Sequence, residues 1–462
     1  MACVQTGDEM NRLWLGIFWL LPLHAADLNP QFEDKISSAL KKAGAPSVSV
    51  AIVLDGKLAL AQAFGEADLA NRRPADLNTR YAVGSVSKQF TATAILLAQE
   101  QGKLSLDDTV SKYFPTLTRA KDITIRQLLS HTSGYEDYAP QDYLIPDWTK
   151  PISPMAMLDR WAAKPLNFEP GTKWRYSNTN YVLAGQIFEK ATGVGLVAFL
   201  KEHIFGPLGM ASASAWPPAQ ANDAVAYTRY ALGPPRPVGR EAEGWYFAAG
   251  ELAMTPSDLA RWDIAFLEHK LLSERSYREF TREVRLSNGD YSHYALGLSI
   301  GDLNGIPSLT HGGEVSGFLS SNAIYPTRKA AVVVLSNEDG VTMVSSLSRA
   351  IATTALLPER KEPSDKDTAR VRSVLEGLQR GTIDRALFSA NANSYFNAQA
   401  LEDYRKSLAA SGKLKTVTAA GENLRGGMTH RTYRAEFDKK TVTLNIYLLE
   451  DGKFEQFMVE GE

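Results

Sequence analysis

The sequence predicts an α/β fold for residues 28–357, followed by a small α+β module over residues 368–462. Strand-like segments stand at both ends of the first region with helical patterning between them, so the first hairpin must pair with the last strands to complete one sheet. A polar, Pro-bounded stretch, 358–367, changes the texture as a linker does. Beyond it, helical segments precede alternating ones, the order of an α+β unit.

Each element has its own signal. Residues 47–54 are rich in Val and Ile, Asp55-Gly56 is a two-residue turn signal, and 57–64 returns as a second strand. Helical patterning runs over 85–101, with Phe90, Ile95, Leu96 and Leu97 on its apolar side and Gly102 closing it. Residues 104–235 read as helices joined by Pro-rich and aromatic-rich loops. Strands are expected at 294–300, 308–313, 318–325 and 330–336, with Pro326-Thr327-Arg328-Lys329 turning between the last two. In the C-terminal module, helices are expected at 369–379 and 398–411, and strands at 431–437, 442–449 and 454–459. The chain has no internal repeat and no low-complexity segment.

The N-terminus differs from the rest. Residues 13–23 form a short apolar run before His24-Ala25-Ala26, the length of a secretory signal core, so 1–26 reads as a signal segment and the mature chain as periplasmic or secreted. Asp8 and Glu9 lie where a signal carries positive charge, and Met10-Asn11-Arg12 makes the better start. Cys3, the sole cysteine, lies in this segment, which leaves the mature chain without disulfide, thiol nucleophile or cysteine metal site.

Hydrophobic residues at 44% and charged residues at 22% are ordinary for a globular chain of 462 residues. A formal charge of −2 without a basic stripe argues against a nucleic-acid partner. No stretch of the mature chain approaches the ~20 apolar residues of a membrane span. The histidines pair with no acids at ligand spacing, so no metal and no other cofactor is expected. The composition leaves the oligomeric state open.

Three short motifs carry the chemistry: Ser85-Val86-Ser87-Lys88, Tyr176-Ser177-Asn178 and His311-Gly312-Gly313. A serine three residues before a lysine on a helix shares a face with it, and a serine needs a neighbouring base to become a nucleophile. Each motif alone is cheap, since Ser38-Ala39-Leu40-Lys41 and Tyr395-Phe396-Asn397 match the first two elsewhere in the chain. Context separates them: Ser85 opens an apolar helix, where free N–H groups favour a developing oxyanion. A plain N-cap would equally explain a serine there, but not the rest of the set.

As an ordered set, the motifs resemble those of the penicillin-recognising serine hydrolases, and most of all class C β-lactamases with their related D,D-peptidases, esterases and D-aminopeptidases. Residues 123–134, Ala248-Ala249-Gly250-Glu251-Leu252 and Gly317-Phe318 are similar too. The resemblance covers about residues 30–355 and leaves the C-terminal module outside. It implies a β-lactamase/transpeptidase-like, mainly antiparallel sheet flanked by helices, an all-helical lobe, and a site between them. Carried onto this chain, it implies that Ser85 is the nucleophile, that Lys88 and Tyr176 handle its proton, and that Asn178 holds the substrate carbonyl side. It also implies an oxyanion hole of the Ser85 and Glu314 N–H groups beside Gly313. Lys88 and Tyr176 are both candidates for the base; a tyrosine near its usual value of about 10 would need Lys88 beside it.

The third motif departs from the family's usual lysine-threonine-glycine. His311 replaces a carboxylate-anchoring lysine, and Glu314 adds negative charge. This shifts the expected small-molecule or peptide substrate toward esters or amine-bearing amides, as for an esterase or D-aminopeptidase. The alternatives are a β-lactamase or D,D-carboxypeptidase and a penicillin-binding sensor or scaffold that does not turn over. His131 reads as structural, and the Trp245-Tyr246-Phe247 cluster as core or cleft wall.

Overall fold

The structure is a computed structural model that describes residues 25–141, 144–216, 218–231, 233–357, 365–425 and 428–461. The expected signal segment, in its residues 1–24, and the expected linker, in its residues 358–364, lie outside the described residues. The chain divides into two compact units, the first ending at Leu356 and the second beginning at Leu357.

The first unit is built on a seven-stranded antiparallel sheet: β1 (Ser47–Leu54), β2 (Lys57–Asp68), β3 (Arg73–Pro74), β4 (Ser299–Leu303), β5 (Ile306–Val315), β6 (Phe318–Tyr325) and β7 (Ala330–Ser336). Its spatial order is β3-β2-β1-β7-β6-β5-β4. The N-terminal hairpin thus closes on the last strand, with Val50 opposite Val334. Asp55 (φ 50°) and Gly56 (φ 73°) make the left-handed turn that matches strand twist. Every residue of β7, and all of β1 except Leu54, is buried. That explains their continuous apolar runs: both sheet faces are covered.

Helix α1 (Ala25–Ala43) precedes the sheet; α2 (Ser87–Glu100), α3 (Ile125–Leu129), α4 (Asn178–Thr192), α5 (Phe247–Gly250) and α6 (Pro256–Leu267) lie between its two strand groups, and α7 (Met343–Leu356) follows. Helices α1 and α7 pack on each other and on the sheet, while α6 packs on β1, β2 and β7. A helical lobe forms around α2, which is buried almost all round and packs against α4, α5 and the segment Leu196–Leu200. A capping box closes the start of α3, where Thr124 and Gln127 satisfy each other's backbone N–H groups. Gly193 ends α4 in the left-handed conformation (φ 76°).

One expected strand is corrected. Residues 294–298 form a turn rather than the start of a strand, and β4 begins at Ser299. The alternation of Tyr294, Leu296 and Leu298 mimics a strand, but Gly297 turns with φ +81° and Ala295 N donates to Leu298 O at 2.8 Å. A Cβ on Gly297 would meet the Lys88 carbonyl oxygen at 3.0 Å, so this turn is packed directly against α2.

The second unit holds α8 (Asp365–Arg380), α9 (Ala390–Tyr395) and α10 (Ala398–Ala409), and a four-stranded antiparallel meander of β8 (Leu414–Arg425), β9 (Met428–Phe437), β10 (Thr441–Leu448) and β11 (Phe454–Gly461). Val371, Leu375, Leu378, Phe396, Tyr433, Leu444 and Ile446 form its core. Strand β8 was not expected: its pairing slips at Ala419–Gly421, and its Lys, Thr and Glu content hides the period of two.

Candidate active site

The Ser85 loop is shaped by glycine. Gly84 has φ +51°, and a Cβ there would lie 2.8 Å from Glu314 N, so the end of β5 passes directly over the loop. Gly313 is tighter still: its Cβ would sit 2.0 Å from Val83 O. The third motif therefore needs its glycine for packing, and that packing sets the Glu314 amide beside the Ser85 turn.

Ser85 sits in a 3-10 turn, Gly84–Val86, and α2 begins only at Ser87 with no side-chain cap. The hydroxyl is thereby released from capping. Instead it accepts from Lys88 Nζ at 2.9 Å and from Tyr176 OH at 2.7 Å.

Lys88 is fully buried on α2, and its three N–H groups have three acceptors: Ser85 Oγ, Asn178 Oδ1 at 2.8 Å and Ala249 O at 2.7 Å. Burial pushes the amine down to about 7, against a smaller opposing pull from the Asp137 carboxylate. Both protonation states are therefore open to it near neutral pH.

Tyr176 and Asn178 flank the extended Ser177 at the start of α4, which a loop after α3 clamps. His131 O accepts from Arg175 N at 3.0 Å, and Asp137 Oδ1 accepts from Asn178 N at 2.9 Å. Asp137 Oδ2 also accepts from Asn178 Nδ2 at 3.3 Å, which fixes the amide with its oxygen toward Lys88. Desolvation raises the Tyr176 phenol above its ordinary value, against the pull of its bond to Ser85, so it stays a donor.

His131 is buried with φ 57°. Its Nδ1 accepts from Ser177 N at 3.2 Å, and its ring lies 4.3 Å from that of Tyr176, a supporting position behind the phenol. His311 is also buried: its Nδ1 can only donate to the Gly312 carbonyl at 2.5 Å, so Nε2 accepts from Tyr294 OH at 2.8 Å. Burial, with the Lys88 charge, pushes this imidazole down to about 3. A neutral ring with both nitrogens engaged offers no cation to a substrate carboxylate.

Ser85, Tyr176, Asn178, His311, Gly313 and Glu314 all line one cleft of ≈ 760 Å³ in the first unit. The sequence reading thus names a set that the fold brings together. It missed Asp137, which orients Asn178, and the Ala249 carbonyl, which holds Lys88; neither lies within the three motifs. Tyr246 of the aromatic cluster lines the cleft, while Trp245 is buried against Tyr138, Trp148 and Trp161. The decoys fall away: Ser38 and Lys41 are exposed on α1, and Asn397 caps α10 by accepting from Ala400 N at 2.9 Å. Among the described residues, no group of three or more His, Cys, Asp or Glu side chains is placed to hold a metal ion. No single described helix is long and apolar enough to cross a membrane.

A half-buried serine held between a buried lysine and a tyrosine, at the junction of an antiparallel sheet and a helical lobe, belongs to the serine hydrolases of β-lactamase fold. The chain is a member of the Beta-lactamase family, whose model matches residues 32–356. It is 29% identical over 370 residues to a penicillin-binding protein of Bacillus subtilis, covering 74% of this chain and 77% of that protein. It is 27% identical to a D-aminopeptidase of Brucella anthropi, over 64% of this chain and 56% of that protein. Among solved structures, a D-stereospecific amidohydrolase from Streptomyces sp. superposes with a TM-score of 0.62 at 27% identity, over 73% of this chain and 99% of that one.

Proposed function

We propose that the chain is an exported hydrolase that cleaves an ester or amide bond through an acyl-enzyme on Ser85, with esterase or D-aminopeptidase-like specificity. The observation that carries this reading is the double approach to Ser85 Oγ, by Lys88 Nζ at 2.9 Å and Tyr176 OH at 2.7 Å. In its neutral form Lys88 has a lone pair to take the serine proton as Oγ attacks the substrate carbonyl carbon. What supports Lys88 as base is its lowered proton affinity, together with a phenol held protonated.

The oxyanion of the tetrahedral intermediate is directed to the N–H groups of Ser85 and Glu314, which the two glycine contacts bring together. Its collapse breaks the bond to the leaving alcohol or amine. The Tyr176 phenol gives that group its proton and is reprotonated from the Lys88 ammonium. Water then attacks the ester carbonyl by the reverse proton path, releasing the acid and restoring Ser85. Asn178, gripped by Asp137, keeps Lys88 in line throughout.

The acid-lined cleft and the neutral His311 weigh against substrates with a carboxylate near the scissile bond, such as β-lactams and D,D-peptides. Ser85→Ala is expected to abolish labelling by a fluorophosphonate probe and turnover of a short-chain aryl ester. Persistent labelling of that variant would sink the proposal. Strong turnover of a chromogenic cephalosporin without any of the ester would reverse the substrate ranking, and a stable adduct without turnover would favour a sensor.

A further inference from the structure

Glu241 is a carboxylate built into the cleft wall that no cation among the described residues balances. It is 7% exposed, and one of its oxygens, Oε1, accepts from Tyr246 OH, from Ser316 Oγ and from Ser316 N at 3.2 Å. Among the described residues, no lysine, arginine or histidine forms an ion pair with it, and the neighbouring Arg240 instead stacks its guanidinium over Trp216 at 3.9 Å. Burial and the Glu241 charge hold the Tyr246 phenol protonated, so it can only donate here.

A buried, unpaired carboxylate costs stability unless something of opposite charge meets it. Three neutral donors fix its position but do not neutralise it, and they all fall on Oε1, which leaves Oε2 for a ligand. The position suits a substrate. Glu241 lines the same cavity as Ser85. Gly250 separates the two: a Cβ on it would lie 3.5 Å from Gly84 C, next to Ser85, and 3.5 Å from the Tyr246 ring that holds Glu241. The wall around it carries Asp137, Glu314 and Asp339 against one arginine, Arg175.

We propose that Glu241 receives the ammonium group of the substrate, making the cleft selective for esters and amides whose acyl part carries a primary amine. This rests on the reading of Ser85 as the acylated residue. The three donors keep the carboxylate rigid, so the ammonium is met by a fixed charge and the scissile carbonyl is set at a fixed distance from it.

The test uses the full chain and matched pairs of compounds that differ only in the amine: phenylalanine p-nitroanilide, in both enantiomers, against 3-phenylpropanoyl p-nitroanilide. The wild type is expected to favour an amine-bearing substrate by at least about 10-fold in kcat/KM, the size of one hydrogen bond to a charged group. Glu241→Gln is expected to lose about 10- to 100-fold on that substrate, mainly in KM, with the des-amino substrate changed by less than about 3-fold. Glu241→Asp keeps the charge and should restore part of the preference. Equal turnover of both substrates by the wild type overturns the proposal, as does an equal loss on both in Glu241→Gln, which would make Glu241 only an anchor for Ser316 and Tyr246.

A binding arm separates this from the reading of Ser85. Calorimetry on Ser85→Ala compares phenylalanine amide with 3-phenylpropanamide, and a preference for the amine supports Glu241 even where acylation fails. Fluorophosphonate labelling at Ser85 without any amine preference removes Glu241 alone. If Glu241→Gln does not fold by circular dichroism, the wild-type and Ser85→Ala preferences decide.

Discussion

Asp137 grips Asn178 twice, taking its backbone N–H at 2.9 Å and its side-chain N–H at 3.3 Å. These two hydrogen bonds to one carboxylate aim the amide oxygen of Asn178 toward Lys88 Nζ, from which it accepts at 2.8 Å. Asp137 therefore acts on the lysine twice over, by aiming its acceptor and by its own charge.

Asp137→Asn tests both effects. The charge of Asp137 raises the proton affinity of Lys88, so removing it lowers that affinity further. The neutral, basic form of Lys88 then appears at lower pH, and the acid limb of kcat/KM for an aryl ester shifts down. An asparagine can also present its own N–H to Asn178 and let that amide flip, so kcat should fall by roughly 10- to 100-fold. Rates between pH 5 and 9 for wild type and variant check both points; an unmoved limb would remove the electrostatic half.

The wild-type pH profile is itself a prediction. With Lys88 near 7, kcat/KM is expected to rise through about pH 7 as the amine loses its proton. The imidazoles add no limb of their own: His311 is pushed down to about 3 and His131 lies well below its ordinary value, both chiefly by burial. Tyr176, raised above its ordinary value, adds no falling limb below about pH 10. Two buried carboxyls compete in this range: burial pushes Glu251 up to about 7 and Asp263 up to about 8. Glu251→Gln and Asp263→Asn should each leave the limb in place. If the limb vanishes in either variant, Lys88 is not the group that titrates.

Much of this was legible in the sequence, and the exceptions are physical. The pairing of residues 47–54 with 330–336 follows from two apolar runs too continuous for a half-exposed sheet, and the structure aligns them. Ser85, Lys88, Tyr176 and Asn178 were legible because side-chain chemistry repeats in spacing and order. Ala249 contributes a carbonyl, which any residue could offer, so its identity carries no signal. Asp137 and Glu241 are acids in loops, where acids are ordinary; only the packing shows what they hold. The neutrality of His311 was readable from its type, whereas its tautomer depends on Tyr294, from a turn that the sequence disguised as a strand.

Lys88 should also cost the fold stability. Its ordinary value is 10.5 and burial takes it to about 7, so between these values the unfolded chain holds a proton that the folded chain releases. Stability therefore rises with pH across that window, and the penalty is complete below about 7. At pH 7 the shift corresponds to on the order of 4 kcal/mol, part of which the three hydrogen bonds of the amine offset. Lys88→Met is expected to lose ester turnover entirely and to unfold at higher urea, more stable by about 1–3 kcal/mol at pH 7. The gap should shrink at pH 9.5. A variant that is less stable at pH 7 would mean that the hydrogen bonds outweigh the burial.

The two glycines of the third motif make a matched pair of opposite expectations. A Cβ on Gly313 would sit 2.0 Å from Val83 O and 2.4 Å from Ser320 Oγ, and the first of these is backbone that cannot yield without moving the Ser85 loop. A Cβ on Gly312 would meet only Ser320 O, at 3.7 Å, an ordinary contact. Gly313→Ala should therefore destabilise the first unit by about 1–3 kcal/mol through overpacking. Because the strand end that carries the Glu314 amide must shift away from Ser85, kcat/KM should fall by about 100-fold, as expected for a displacement near 1 Å. Gly312→Ala should leave stability within about 0.5 kcal/mol of wild type, as a substitution without a clash does. Urea melts and aryl-ester kinetics on the two variants decide the matter: equal behaviour would mean that close packing at Gly313 does not set the position of the Glu314 amide.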